Sequence, residues 1–405
     1  MSKMKKTILG LIAGVATMAT GAFANADQIL FPYINSNTGN VSTLITVINA
    51  KEASSSSKAL HYRYFTKLFT ASHDTCCEER DFCRPTTNKD IVTFDVAYYL
   101  ESGAAGKAMF NDATSYSSGA GAPRFDLPNM GFPEGRRGYL LVSHADGPSS
   151  CIDMDPSSSN GLLDGEAMVV DIVNGAAWSY RAVLPAASYN GTSHYYDSQG
   201  KNFIFGTDNR SADADTITGN LPAYNPLKQF DALRENDGQP VALYPPSIFE
   251  TRFFVTPLRN DLDSNMKGRN IVKVQLTDWD FTYHKAGITG VYDRNENFVS
   301  GGKAIQVCCV ASICLSDFAG SSNLWGSWFS TQGGWSFVSL TNPSVSSAEE
   351  DYTSFYYDAI VFKLQYTTGP SIVGSSVINS ADLIKSYRGG FCNFERINTS
   401  GCCGN

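Results

Sequence analysis

Ten cysteines are the residues of this chain best equipped for chemistry. They are Cys76, Cys77, Cys83, Cys151, Cys308, Cys309, Cys314, Cys392, Cys402 and Cys403. A thiol can ligate a metal, attack as a nucleophile or close a disulfide, and spacing separates these uses. No C-x-x-C is present, so the thioredoxin-type redox motif and the C-x-x-C-H attachment of c-type haem both drop out. His73-x2-Cys76-Cys77-x5-Cys83 has the residue types of a zinc site without the spacing of a standard module. Disulfides are the expected use. Adjacent cysteines on an extended segment point to opposite faces, so Cys308 and Cys309 should take different partners. Four cysteines fall in the first half and six in the second. Even counts predict that each half closes its own bridges.

Acidic loops offer the next chemistry. Asp153, Asp155, Asp164 and Glu166 surround a Ser-rich loop, and hard carboxylate oxygens suit calcium. Asp261, Asp263 and Asn265 form a second cluster, and Asp293, Asn295 and Asn297 a third. Met266 and Phe298 stand where an EF-hand loop needs glycine, so turn capping is the expected role of these last two. No cofactor is required, and calcium is the one cation the residue types favour.

Catalytic signatures are absent. The five histidines are His61, His73, His144, His194 and His284. Neither a G-x-S-x-G elbow nor H-E-x-x-H occurs, and Gly119-Ala120-Gly121 lacks the strand–helix setting of a phosphate loop. Aromatics are more suggestive. Trp325, Trp328 and Trp335 cluster with Phe329 and Phe337, and exposed rings stack on sugars or anchor partners. They form the candidate ligand surface.

These residues must be positioned by strands. In Ile91 to Tyr99, Val92, Phe94, Val96 and Tyr98 share one face. Val272, Val274 and Leu276 oppose Lys273, Gln275 and Thr277 in the same manner. Asn174-Gly175 predicts a tight hairpin turn leading into a strand over 176–184. Further strands are expected at 28–34, 41–49, 59–67, 138–144, 251–257, 287–293, 304–310, 334–341 and 357–366. Helical signals are few: Asn225 before Pro226, and Ser380 as a cap for Ala381 to Ser386. Pro- and Gly-rich punctuation marks residues 185–246, and a second loop-rich insert runs from Ser102 to Arg137.

The halves also echo each other in order. Gln28 to Tyr33 matches Glu250 to Val255, and Cys76-Cys77-x5-Cys83 matches Cys308-Cys309-x4-Cys314. Gly138 to Ser143 matches Gly334 to Ser339, and Glu166 to Val170 matches Asp358 to Phe362. The expected fold is therefore all-β: two tandem antiparallel β-sandwiches of immunoglobulin-like type with long loop insertions. Residues 1–26 read as a signal peptide, 27–190 as the first sandwich, 191–245 as a loop-rich connector and 246–405 as the second sandwich.

The signal peptide rests on Lys3, Lys5 and Lys6, an apolar run from Ile8 to Thr20, and an A-x-A site at Ala24-Asn25-Ala26. No later apolar run reaches the ~20 residues a membrane-spanning helix needs. Export to the cell surface, the extracellular space or a periplasm is the expectation, and the cysteines suit such an oxidising place. A formal net charge of −8 argues against nucleic acid as a partner.

Low charge density, disulfides and absent catalytic motifs predict a non-enzymatic structural or adhesion protein, secreted or displayed on the cell surface. Its partner would be a second copy or an envelope component. A secreted carbohydrate-binding or carbohydrate-active protein is the alternative, with a glycan as partner. The strand at 28–34, next to the expected cleavage site, pairs either within its own sheet or with a neighbouring subunit.

Overall fold

The computed structural model describes residues 28–37, 41–52, 59–97, 110–111, 125–132, 134–149, 151, 161–171, 176–183, 233–234, 238–259, 271–282, 285–319, 326–341, 357–367 and 379–384. The signal peptide, Asp153, Asp155, Trp325, Cys392, Cys402, Cys403, the Asn174-Gly175 turn and the Asn225 helix lie outside them.

Strands dominate. In the first half they are β1 (Gln28–Ser36), β2 (Val41–Lys51), β3 (Ala59–Leu68), β4 (Glu78–Pro85), β5 (Asp90–Asp95), β6 (Phe110–Asn111), β7 (Arg136–Ala145), β8 (Leu162–Asp171) and β9 (Ala176–Arg181). In the second half β10 (Leu233–Arg234), β11 (Gln239–Leu243), β12 (Phe249–Arg259), β13 (Ile271–Asp280), β14 (Lys285–Asp293) and β15 (Phe298–Ser300) come first. They are followed by β16 (Ile305–Cys308), β17 (Ala311–Cys314), β18 (Gly334–Thr341), β19 (Tyr357–Thr367) and β20 (Asn379–Ile384). Two short helices, α1 (Leu315–Phe318) and α2 (Gly326–Gln332), separate β17 from β18.

Four antiparallel sheets result, none closed into a barrel, and each draws its strands from one half. The first half gives the orders β1-β7-β3-β4 and β6-β5-β2-β8-β9. The second gives β11-β18-β13-β14-β15 and β10-β19-β12-β17, with β20 also on β19 and β16 also on β13. The two halves have the same plan. Replacing β1, β7, β3 and β4 by β11, β18, β13 and β14 reproduces the first order, and replacing β5, β2, β8 and β9 by β17, β12, β19 and β20 reproduces the second.

Two sequence echoes fall on equivalent strands: Gly138 to Ser143 with Gly334 to Ser339 on β7 and β18, and Glu166 to Val170 with Asp358 to Phe362 on β8 and β19. The opening pair is displaced by one strand, because Gln28 to Tyr33 lies on β1 while Glu250 to Val255 lies on β12. The true counterpart of β1 is β11, inside the segment read as connector. Pro240 disguises β11, yet proline is tolerated there because β11 is an edge strand. The cysteine doublets are not equivalent either, since one precedes β4 and the other joins β16 to β17.

The expected Ser380 helix is instead strand β20, which pairs Asn379–Ile384 with Val361–Tyr366. Six residues are too few for a helix to hold itself, whereas the open edge of β19 supplies hydrogen-bond partners at once. β4 escaped notice because Glu78, Glu79, Arg80 and Asp81 are charged and exposed, as an edge strand requires. These strand orders establish the all-β class and do not establish an immunoglobulin-like topology.

Alternation decides how the halves meet. On β12, Phe253 and Val255 enter the apolar cluster of the second half, whereas Phe254 enters that of the first. On β19, Ala359 and Val361 face their own half, whereas Ile360, Phe362 and Leu364 face the other. The β10-β19-β12-β17 sheet is thus buried on both faces. Tyr33 lies 4.3 Å from Phe254, Trp178 lies 5.0 Å from Phe254, and Tyr180 lies 5.1 Å from Phe362, ring to ring.

The disulfides overturn the expectation that each half closes its own. Cys76–Cys308 and Cys77–Cys309 both cross between halves, with Cα–Cα distances of 4.9 and 5.6 Å, and only Cys83–Cys151 stays within the first half. The packing just described brings the two doublets together. Left-handed backbone at Cys309 (φ 67) lets neighbouring cysteines bond to a neighbouring pair. Lys67 pins the same junction. Its buried Nζ lies 2.8–3.1 Å from the carbonyl oxygens of Ser72, His73, Thr75 and, across the halves, Cys308, which share its N–H donors. Three disulfides fit an oxidising environment, and no helix among the described residues is long and apolar enough to cross a membrane.

Candidate functional site

The second-half sheet β11-β18-β13-β14-β15 sends Val241, Leu243, Val274, Leu276, Val338 and Leu340 into its core. Period-two alternation puts Trp335 and Phe337 on the other face. Trp335 stacks on Tyr292, which is its cross-strand partner, with centroids 4.3 Å apart and planes at 11°. Phe337 meets Trp335 edge-on at 5.3 Å and Phe281 at 5.6 Å. Tyr292 meets Phe298 at 4.9 Å, and Trp279 lies 6.4 Å from Phe337. The rings form one continuous row across four strands and a hairpin tip.

The row is open at its ends and supported in its middle. Phe281 is 68 % exposed, Trp335 and Phe298 are half-buried, and Phe337 is buried by its neighbours. Pro240 and Ala242 of β11 pair with Phe337 and Trp335 and remain exposed, so only short side chains flank the rings there. Gly238 lies over the indole of Trp279, where a Cβ would come within 2.3 Å of ring carbons. Ile288, 65 % exposed, extends the apolar area on β14.

Polar groups sit beside the rings. The Tyr292 hydroxyl donates to Asp278. Burial, followed by the hydrogen bond and charge of Asp278, pushes the phenol up to about 12, so it stays protonated at neutral pH. Asp280 accepts from the Thr282 N–H at the hairpin tip (2.8 Å). Flat apolar faces beside carboxylates can stack on the C–H faces of a pyranose while accepting from its hydroxyls.

Of the expected ligand surface, Trp335 is in this row. Trp328 is on α2 with its side chain outside the described residues, and Trp325 lies outside altogether. Sequence reasoning missed Tyr292, Phe281, Trp279 and Phe298. Trp279 continues the alternation of β13 and Phe281 follows it into the hairpin, whereas Tyr292 and Phe298 stand on β14 and β15 and join the row only through strand pairing.

The calcium quartet is only half described. Asp164 pairs with Arg181 and accepts from the Gly165 N–H (2.7 Å), while Glu166 is exposed two residues along β8. Asp293 caps its own turn, accepting from the N–H groups of Asn295 and Asn297 at 2.7 and 2.9 Å and from the Asn297 amide at 2.9 Å. The Asn297 side-chain bond, ahead of the backbone ones, holds its carboxyl below the ordinary range. The His73-Cys76-Cys77-Cys83 quartet is dispersed, since its cysteines take three different partners.

A second polar cluster occupies the junction. Arg252 pairs with Glu250 and donates to the Tyr366 hydroxyl (3.0 Å). The Cys314 thiol lies 3.8 Å from the same Glu250 carboxylate. Burial raises the Cys314 pKa, against a lowering by Arg252, so this thiol stays protonated and is a poor nucleophile at neutral pH. Burial lowers His73, with Arg137 adding to it, and its partner Asp317 is 3.8 Å away. His61 lies 3.0 Å from Asp81 and His144 3.1 Å from the Asn49 amide oxygen.

No protein-family model, curated protein or solved structure matches this chain.

Proposed function

We propose that this is an exported, non-enzymatic adhesion protein, a tandem pair of β-sandwiches welded into one body, which binds glycan through the aromatic row of its second half. The observation that carries this reading is the row itself. Six rings in contact, Phe298, Tyr292, Trp335, Phe337, Trp279 and Phe281, stand on a sheet face and hairpin tip whose other side is a packed core, and Phe281 at the end is largely open to water. Rigid support of this kind lowers the entropic cost of binding. Carboxylates alongside the rings give hydroxyl groups something to donate to.

Assembly through exchange of β1 is less favoured. That strand already pairs with β7 from Gln28 to Ser36, and every one of its residues is buried.

Glycan-array screening of the mature protein, followed by titration calorimetry of any hit, tests the reading. Trp335→Ala should weaken binding by about fivefold or more, since losing one stacked aromatic contact removes ~1 kcal/mol or more. Binding unchanged by that substitution, or no glycan bound at all, would count against the glycan reading. Ordered filaments of wild-type protein in negative stain would then favour a structural role through self-assembly.

A further inference from the structure

The face of β3 and β4 that points away from the first-half core carries a cluster of metal-ligating groups. His61 and Cys83 are direct cross-strand partners on this antiparallel pair. Leu60, Tyr62 and Phe82, their chain neighbours, enter the main core, whereas Cys83 belongs to a separate small cluster with Ala59 and Ala145, against which Cys151 packs. One ring nitrogen of His61 and the sulfurs of Cys83 and Cys151 all lie within 4.8 Å of one another. Among the described residues no other three His, Cys or carboxylate groups lie that close.

We propose that His61, Cys83 and Cys151 form a site for zinc or a similar thiophilic divalent cation, which the Cys83–Cys151 disulfide closes and reduction by a dithiol opens. Two sulfurs and one nitrogen are the donor set such ions prefer, with water completing the tetrahedron. Zn–S bonds of about 2.3 Å set the two sulfurs about 3.7 Å apart in a tetrahedron. The Cα–Cα distance of 5.5 Å lets side-chain rotation supply that opening. Asp81 precedes Cys83 by two residues on the same strand face and lies 3.0 Å from His61 Nε2. With a proton held there Nδ1 would be the ring nitrogen left to ligate, an arrangement in which a carboxylate orients a histidine ligand. His61 is buried while Asp81 is exposed at its side chain, so an ion has an approach from solvent.

The chemistry balances. The dithiol gives two electrons and two protons, the Cys83–Cys151 bond breaks, and the reductant's own two sulfurs join. A divalent cation then displaces the two thiol protons to solvent. The oxidised chain has no thiolates to offer here and should not bind.

The test uses the full mature chain, reduced with dithiothreitol and freed of it under anaerobic conditions. Cobalt(II) should produce the thiolate charge-transfer and tetrahedral ligand-field bands. Zinc should slow alkylation of Cys83 and Cys151, mapped by mass spectrometry, by about tenfold or more relative to Cys77 and Cys309. His61→Asn should weaken cobalt binding at least about tenfold, and Asp81→Asn, as a positioning residue, by a smaller factor. Equal protection of all cysteines, or none, would overturn the proposal. So would a His61→Asn chain that binds as the wild type does, and so would a reduced chain that circular dichroism shows to be unfolded, because reduction then opens no such site.

Discussion

The sheets β1-β7-β3-β4 and β11-β18-β13-β14 have one strand order and opposite fates. In the first, β1 and β7 are buried along their whole lengths and β3 at all but Leu68. In the second, the outward face carries the aromatic row, ending at a Phe281 that is 68 % exposed. Strand order therefore does not decide which face is available. What decides it is where the other half lands. The Cys308–Cys309 corner comes down on Lys67 and the loop before β4, so β1, β7 and β3 lose their free surface to the fold and only the edge strand β4 stays exposed. The counterpart sheet keeps exposed side chains on that face, Phe281 and Ile288 among them, and so a surface for a ligand.

The largest expected effect comes from undoing that landing. Each cross-half bridge spans 232 residues, so either one alone closes the long loop. In the chain-entropy account, closing a loop of that size once is worth about 5 kcal/mol, and a second bridge beside the first closes almost nothing further. Cys309→Ala should therefore cost little beyond local packing. The double substitution Cys308→Ala with Cys309→Ala should cost about 5 kcal/mol and release the first-half sheet. Guanidinium unfolding of both variants checks this. Equal losses in the two would mean that the bridges act locally and not as closures of the halves.

A smaller effect separates the equivalent strands themselves. Gly138 opens the matched motif on β7 and Gly334 opens it on β18. A Cβ at Gly138 would sit 1.9 Å from the Phe65 carbonyl oxygen, and one at Gly334 would sit 2.0 Å from that of Tyr292. Both glycines answer the same demand, close approach by a neighbouring backbone, which no flexible side chain can relieve. Alanine at either should destabilise by about 1–3 kcal/mol. Gly138→Ala should cost more, because it also meets the backbone and side chain of Thr66 within 2.8 Å, between two strands buried along nearly their whole lengths. Thermal unfolding of the two single variants gives the comparison, and a larger loss at Gly334 would reverse it.

Those glycines were legible as sequence landmarks, as were the core strands, because period-two alternation is written into the residues that fill one cluster. Strands β4 and β11 were not, since edge strands carry the charges and proline that resemble loops. The disulfide map was hidden for a different reason. Parity of cysteine counts says nothing about which loops touch, and contact between the doublets follows from Phe254 and Phe362 turning toward Tyr33, Trp178 and Tyr180. For the candidate face, Trp335 was visible, but Tyr292 and Phe281 became its neighbours only through pairing of β14 with β18 and the return of the β13–β14 hairpin.

The smallest effect is one of pH, and it divides the same two sheets. Burial, helped by Arg137, lowers Lys67 from 10.5 to about 7. Between about pH 7 and the unfolded value of 10.5 the unfolded chain holds more protons than the folded one, so stability rises with pH across that window. Below about pH 7 the lysine is charged in both states and its burial penalty is fully present. One proton sets a ceiling of about 1.4 kcal/mol per pH unit on the slope. Lys67→Met should flatten it, while also leaving four carbonyls at the junction without their shared donor. On the open sheet the corresponding titratable group is Tyr292, pushed up to about 12 and therefore neutral throughout. Stability measured by urea unfolding from about pH 7 to about pH 9 should climb in the wild type and not in Lys67→Met, whereas glycan affinity should stay level in both. A binding curve that follows the stability curve would mean that the junction and the aromatic face are coupled, and that the second sheet is less free of the first than its exposed surface implies.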